Sequence, residues 1–143
     1  MRQWVEAVLA LGVVMLLGLG LFLFAGESPG GSTPDASAPI SFDAEAAARG
    51  EVLAEAQGCL QCHTVDGTLG TTGPTWKGLA GSSRPVEGGG FVTADDTYLF
   101  NSIVDPDSQV VTGYQPVMPA FYADQLSEQE VGDLVEYIKS LSS

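Results

Sequence analysis

The sequence predicts an all-α domain that is preceded by a single membrane-spanning helix. Three segments, 43–56, 94–104 and 127–141, carry helix-start signals or apolar residues at helical spacing. No segment shows the strict polar–apolar alternation of a half-buried strand. The third observation is an almost unbroken apolar run from Ala7 to Ala25. As a helix this run extends roughly 28 Å, close to the hydrocarbon thickness of a bilayer.

The N-terminal segment 1–25 is interpreted as an uncleaved anchor that contacts lipid through residues 5–25. Trp4 is placed for the membrane interface, and Arg2 biases the N-terminus towards the cytoplasm, so that the remaining chain lies outside. A cleaved signal peptide is the alternative, although its basic region would be thin and its apolar stretch long. Residues 26–41, rich in Gly, Ser and Pro, are predicted to form a flexible linker. The folded domain is then 42–143.

The first helix of that domain is predicted over 43–56. This segment is rich in Ala and Glu, and its acidic residues in the opening turns complement the helix dipole. Gly58 is placed to end the helix. Gly50, in its interior, costs about 1 kcal/mol relative to alanine, which calls for a structural reason.

Directly after this helix comes the run Cys59-Leu60-Gln61-Cys62-His63, the attachment signature of a c-type haem. Two thiols at this spacing form thioethers with the haem vinyl groups, and the adjacent imidazole becomes an axial ligand of the iron. A redox-active thiol pair would call for a βαβ context that the sequence lacks. A zinc site would need more ligands than two cysteines and one histidine.

The second axial ligand is assigned to Met118. The chain has one histidine and three methionines, and Met1 and Met15 lie in or beside the apolar N-terminal run. Thioether ligation raises the reduction potential of a haem. The alternative is that Met118 only fills the core, with the sixth site open or occupied by Lys77, Lys139 or water.

The segment 64–90 is rich in turn residues, and a loop of this length is expected only if it serves a function, such as wrapping a haem. Trp76 is expected to pack near the haem edge, with its indole N–H within reach of a propionate. Arg84 is a candidate propionate partner by charge. The alternatives are a core tryptophan and a solvated arginine.

Two further helices complete the domain. Thr93 is the predicted N-cap of a helix over 94–104. Ser127 and Glu130 are spaced as a capping box, and the apolar residues that follow give one helical face. Tyr137 on this last helix is expected to contact the first.

With these features in place, 42–143 resembles a class I monohaem cytochrome c. The resemblance implies that the Pro74 carbonyl accepts a hydrogen bond from the His63 imidazole, and that Gly50 lets the first and last helices cross closely. The run 73–79, the segment 102–106 and the run 113–119 are more specific: they resemble the monohaem cytochrome subunit of alternative complex III, a bacterial quinol-oxidising complex. They also resemble cytochrome domains fused to haem-copper oxidase subunit II, but this chain has no copper-binding domain.

These observations predict one-electron transfer through one covalent haem c on the outer face of a bacterial cytoplasmic membrane. The formal charge of −13 argues against nucleic-acid binding and suits a partner with a basic docking face or a permanent position within a complex. The alternative is that the acidity serves only solubility. The expected partners are other cytochromes and subunits of a membrane complex, with a soluble carrier or oxidase as acceptor. The protein is expected to carry electrons rather than to be an enzyme itself. An independent tethered shuttle is the main alternative, and haem catalysis at a labile Met118 site is the other.

Overall fold

The computed structural model describes residues 39–70 and 72–142. The predicted membrane-spanning helix and nearly all of the predicted linker lie outside these residues. Within 39–70 and 72–142, no helix has both the length and the apolar character needed to cross a bilayer. The described α-helices and β-strands, in chain order, are α1 (Ala44–Ala56), β1 (Ser83–Pro85), β2 (Phe91–Thr93), α2 (Asp96–Val104), α3 (Tyr122–Gln125) and α4 (Glu128–Ser140). Two short 3-10 helices, Cys59–Gln61 and Pro106–Gln109, complete the set.

Helices α1 and α4 begin where the sequence predicts. The Asp43 carboxylate accepts hydrogen bonds from the amides of Glu45 and Ala46 and so caps α1. At the start of α4, the Ser127 hydroxyl accepts a hydrogen bond from the Glu130 amide, and the Glu130 carboxylate accepts one from the Ser127 amide. These two hydrogen bonds confirm the predicted capping box. These caps supply partners for amide groups that a helix cannot satisfy internally.

The two helices cross at Gly50. A β-carbon added to Gly50 would lie 2.6 Å from the carbonyl carbon of Asp133 and 2.9 Å from the β-carbon of Tyr137. Only glycine permits this approach, which explains a helix-interior glycine and confirms the predicted close crossing. Arg49 fastens the same crossing, because its Nε and Nη2 atoms each lie 2.8 Å from a carboxylate oxygen of Asp133. This two-point pairing holds the carboxylate of Asp133, a residue that is 4% exposed.

The apolar core lies between α4, α2 and the segment around Trp76. Its largest fully buried side chains are Leu99, Leu134 and Val131. Ala54 on α1 is also fully enclosed. Burial of such side chains contributes roughly 1.5–3 kcal/mol each for the larger aliphatic ones. The core thus joins the helix that precedes the Cys59–His63 motif to the helices that follow it.

The expectation that the domain contains no strand is wrong. Strands β1 and β2 pair antiparallel, with Arg84 opposite Val92. Gly88, Gly89 and Gly90 all have positive φ at the tip, a conformation that glycine adopts without strain. The domain is therefore mostly helical, with one short hairpin inside and just beyond the region that the sequence predicts to be loop. Three-residue strands are too short to show alternation.

The hairpin also contacts the segment that leads to Met118. Val86 forms a β-bridge with Val111. The amide of Thr112 donates to the Pro85 carbonyl at 2.9 Å, and the amide of Glu87 donates to the Val110 carbonyl at 2.8 Å. The hairpin therefore positions the beginning of the Met118 segment.

Helix α2 begins two residues later than predicted. Asp95 caps it by accepting a hydrogen bond from the amide of Tyr98, so the prediction of Thr93 as the N-cap is wrong. Thr93 instead ends β2. Threonine and aspartate both cap helices well. Because Thr93 pairs with Ser83 in the hairpin, Asp95 is the residue that caps α2.

Candidate functional site

The attachment motif begins where α1 ends. Gln57 is the C-cap of α1, and Gly58 follows with a φ of 73°, in the left-handed region that redirects the chain. Cys59–Gln61 then form one turn of 3-10 helix, and the amide of His63 donates to the carbonyl of Cys59 at 3.0 Å. This turn brings both cysteines and the histidine to one cavity.

The two thiols do not have the properties of a reactive pair. Cys59 and Cys62 form no disulfide with each other, and Cys59 is half-buried while Cys62 is exposed. Burial raises the pKa of the Cys59 thiol, whereas redox-active thiols have a lowered pKa. The local chemistry favours attachment through the sulfur atoms over thiol–disulfide exchange.

The His63 imidazole is held in one tautomer. Its Nδ1 lies 2.8 Å from the Pro74 carbonyl, the contact that the family resemblance implies. Since a carbonyl can only accept, Nδ1 carries the proton and Nε2 is left with its lone pair for a metal. Burial lowers the pKa of His63, while the hydrogen bond to Pro74 acts in the opposite direction. The net effect favours the neutral imidazole, which is the form that coordinates iron.

Gly73 lets the backbone pass directly beside this ring. A β-carbon at Gly73 would lie 2.7 Å from Cε1 and 2.9 Å from Nδ1 of His63. The Gly73 amide donates to the Cys62 carbonyl at 3.1 Å, and the Trp76 amide donates to the Thr64 carbonyl at 2.8 Å. Two backbone hydrogen bonds therefore fix the loop of Pro74 against the attachment motif.

Trp76 supports the histidine from the side of the core. Its ring stacks on that of His63, with centroids 5.0 Å apart and an angle of 26° between the planes. The edge of Tyr137 on α4 meets Trp76, with a centroid separation of 6.1 Å. Trp76 is buried, as the alternative of a core tryptophan states. The reach of its indole N–H to a propionate stays a prediction.

A cavity of about 280 Å³ opens beside the motif. This is close to the lower end of the range of about 300–1,000 Å³ for small-molecule sites. Cys59, Cys62 and His63 line it, and so does the segment that carries Met118. The residues that line this cavity also include three tyrosines, namely Tyr98, Tyr114 and Tyr122.

Met118 is half-buried and packs against the core. It lines the large cavity and also a small neighbouring one, which it shares with Cys59 and Trp76. His63 and Met118 thus face one space from segments that are far apart in the chain. A cavity with two thiols, one imidazole and one thioether has the donor set of a covalently attached haem with histidine and methionine as axial ligands.

Comparison with known proteins agrees with this geometry. The family model described as Cytochrome c matches residues 47–142. The chain belongs to the cytochrome c family. It is also 32% identical over 93 residues to Cytochrome c 2.1 of Caenorhabditis elegans, a match that covers 58% of this chain and 78% of the relative.

Membership of the cytochrome c family settles the cofactor. The protein carries one covalently bound haem c, attached through its cysteines, of which Cys59 and Cys62 are the two in the chain. Cytochromes c of this family are electron carriers, so the protein transfers electrons. The large cavity adjoins the attachment motif, and Cys59 and Cys62 both line it.

Arg84, on β1 of this cytochrome c, is half-buried and lines neither cavity. Its Nε is buried and has no hydrogen-bond partner among the described residues. A buried guanidinium nitrogen without a partner is costly, and a propionate would satisfy it. The pairing of Arg84 with a propionate stays a prediction.

Three features of the cytochrome c site were missed by sequence reasoning. Gly73 begins the run 73–79 that carries part of the family resemblance, but the approach of its backbone to His63 has no signal in the sequence. Tyr122 follows Met118 by four residues, and its hydroxyl donates to the Gln57 carbonyl at 3.1 Å. The glycine run at 88–90 was the available signal for the hairpin.

Proposed function

We propose that this cytochrome c is a membrane-anchored one-electron carrier in which His63 and Met118 are the two axial ligands of the haem iron. The observation that carries the proposal is the convergence of His63 and Met118 on one cavity in a chain with a single histidine. With both axial positions filled by protein, no site remains for substrate or oxygen. Haem iron supplies the one-electron change between its ferrous and ferric forms.

The surrounding residues are suited to keeping this ligand set in both redox states. The Pro74 carbonyl fixes the imidazole through Nδ1, and Trp76 stacks on the same ring. On the opposite side, Pro119 restricts the backbone next to Met118. A ligand sphere that changes little between oxidation states is what rapid electron transfer requires.

We further propose that the protein is the monohaem subunit of a quinol-oxidising complex of the alternative complex III type. On this view it receives electrons from other cytochromes of the complex and passes them to a soluble carrier or oxidase. The resemblance of the runs 73–79, 102–106 and 113–119 supports this assignment. The apolar run from Ala7 to Ala25 supports an anchor in the bacterial cytoplasmic membrane, with the haem domain on the outer side.

An independent tethered shuttle is the second candidate, favoured by the acidic charge of the chain. A net charge of −13 suits repeated encounters with a basic partner, because long-range attraction raises association rates. Both candidates share the anchor, the haem and its ligands. They differ only in whether the protein is stably bound to other subunits.

Gentle detergent extraction of native membranes, followed by mass spectrometry of the co-migrating proteins, separates the two. The expected result is that multihaem and polytopic quinol-oxidising subunits co-migrate with the protein in stoichiometric amounts. Migration alone, or with a sub-stoichiometric oxidase, would replace the subunit by the shuttle. Recovery in the aqueous phase without detergent, with the N-terminal peptides intact, would refute the anchor.

The ligand assignment is tested by Met118→Ala, with Val117→Ala as the matched control. Val117 also lines the cavity and is 58% exposed, and its truncation removes bulk without removing a thioether. Met118→Ala should lower the midpoint potential and open the reduced haem to carbon monoxide, because a soft thioether favours ferrous iron. Ready carbon monoxide binding by the wild type would refute the His63–Met118 ligation.

A further inference from the structure

The segment from Val110 to Tyr122 carries Met118, and the hairpin holds only its beginning. There the backbone hydrogen bonds of Val110 and Thr112 to the hairpin fix the chain. Gly113 adds a hydrogen bond from its amide to the Glu87 carboxylate at 3.3 Å. Met118 lies five residues or more beyond these contacts, so they do not fix its position. A restraint on Met118 has to come from the C-terminal end of the segment.

The contact on that other end is made by Tyr122. Its hydroxyl donates to the Gln57 carbonyl at 3.1 Å, across 65 residues of chain. Gln57 is the C-cap of α1, where carbonyl groups have no partner within the helix. The carbonyl therefore needs a donor from outside, and Tyr122 provides it.

The position of this hydrogen bond connects the two sides of the haem site. Gln57 lies two residues before Cys59, at the start of the attachment turn, while Tyr122 lies four residues after Met118. The ring of Tyr122 is buried and lines both cavities, and Met118 and Cys59 line the same two cavities. Burial raises the pKa of the Tyr122 phenol. The hydroxyl thus stays protonated and remains a donor at neutral pH.

We propose that Tyr122 is a positioning residue for the sixth ligand, because its hydrogen bond to Gln57 ties the Met118 segment to the haem-attachment turn. The inference rests on the proposed ligation by Met118. Without the hydroxyl, the segment keeps its restraint at the hairpin but loses the nearer one, and Met118 leaves the iron more often. The fraction of protein without the methionine ligand rises most in the ferric state, because water competes with the thioether better for ferric iron than for ferrous iron.

The test is Tyr122→Phe in the full-length holoprotein, with Ser82→Ala as control. Ser82 lines neither cavity, and its hydroxyl likewise donates to a backbone carbonyl, that of Leu79, at 2.6 Å. Three properties are measured: the near-infrared charge-transfer band of methionine-ligated ferric haem, the midpoint potential, and the rate of carbon monoxide binding to the reduced protein. Met118→Ala serves as the reference for complete loss of the ligand.

Tyr122→Phe should weaken the band, lower the potential and accelerate carbon monoxide binding roughly two- to tenfold, the range that one net hydrogen bond supports. Ser82→Ala should leave all three unchanged. A Tyr122→Phe protein that melts earlier but keeps the wild-type band and carbon monoxide rate would overturn the positioning role. A wild type without the band, or with carbon monoxide binding as fast as in Met118→Ala, would instead refute the ligation itself.

If Tyr122→Phe does not accumulate as holoprotein, difluorotyrosine incorporated specifically at position 122 provides the same test. This replacement keeps the ring and hydroxyl and lowers the phenol pKa, so that raising the pH removes the donor from a folded protein. The methionine band should then fade at a lower pH than in the wild type. Fading at the same pH in both proteins would overturn the proposal.

Discussion

Replacement of Gly50 by alanine should destabilise the domain by about 2 kcal/mol. The added carbon would lie 2.6 Å from the Asp133 carbonyl carbon and 2.9 Å from the Tyr137 β-carbon. Ordinary carbon contacts are about 3.5–4.0 Å, so α1 and α4 must separate by about 1 Å. Overpacking typically costs about 1–3 kcal/mol, and an obstacle made of backbone belongs at the upper end. Helix propensity returns about 1 kcal/mol.

Urea and thermal unfolding of the oxidised holoprotein, followed by far-ultraviolet circular dichroism, measure this loss. The expected fall in Tm is roughly 8–16 °C. Gly132→Ala is the matched control, because Gly132 lies within α4 and an added β-carbon there meets nothing within 4 Å. That variant should gain up to about 1 kcal/mol. If Gly50→Ala proves as stable as Gly132→Ala, the close crossing of α1 and α4 is refuted.

Two further predictions concern the ion pair and the proximal ring. The Arg49 hydrogen bond holds the pKa of Asp133 below its usual value, so its stabilisation is complete above the unfolded pKa of about 4 and is lost as pH falls through the folded value. In the wild type, the free energy of unfolding measured in urea should rise from acid to neutral pH, and Arg49→Gln should reduce this rise. Lys77→Gln, which removes one exposed cation, should preserve it. If the stability of Arg49→Gln depends on pH as that of the wild type does, the pairing is excluded. Gly73→Ala should displace the His63 ring, seen as a shifted midpoint potential and a changed Soret spectrum, and an unaltered potential would contradict the contact.

The parts of this protein that sequence reasoning predicts well are those set by local chemistry. The attachment motif of Cys59, Cys62 and His63 has one meaning at that spacing, and the capping box of Ser127 and Glu130 depends on residues three positions apart. All the residues that determine a helix start of this kind lie within a few positions of one another in the sequence. For this reason α1 and α4 could be placed to within one residue or so.

The features that were missed depend on contacts between distant segments. The hairpin contains Pro85, and its strands are three residues long, so neither alternation nor propensity marks it. Thr93 and Asp95 both look like helix caps, and the choice is made by pairing with Ser83 across the hairpin. Likewise, the burial of Trp76 against His63 follows from packing on α4, which lies far along the chain.

The pairing of Arg49 with Asp133 has a topological consequence. The two residues are 84 positions apart, and every residue that lines the haem cavity lies between them. The haem site is therefore one large loop closed at its base by the crossing of α1 and α4. Closing such a loop becomes harder only slowly with length, by about 0.6 kcal/mol for each doubling. A change in the number of residues between the attachment motif and Met118 therefore costs little in closure entropy, while the crossing that closes the loop stays in place.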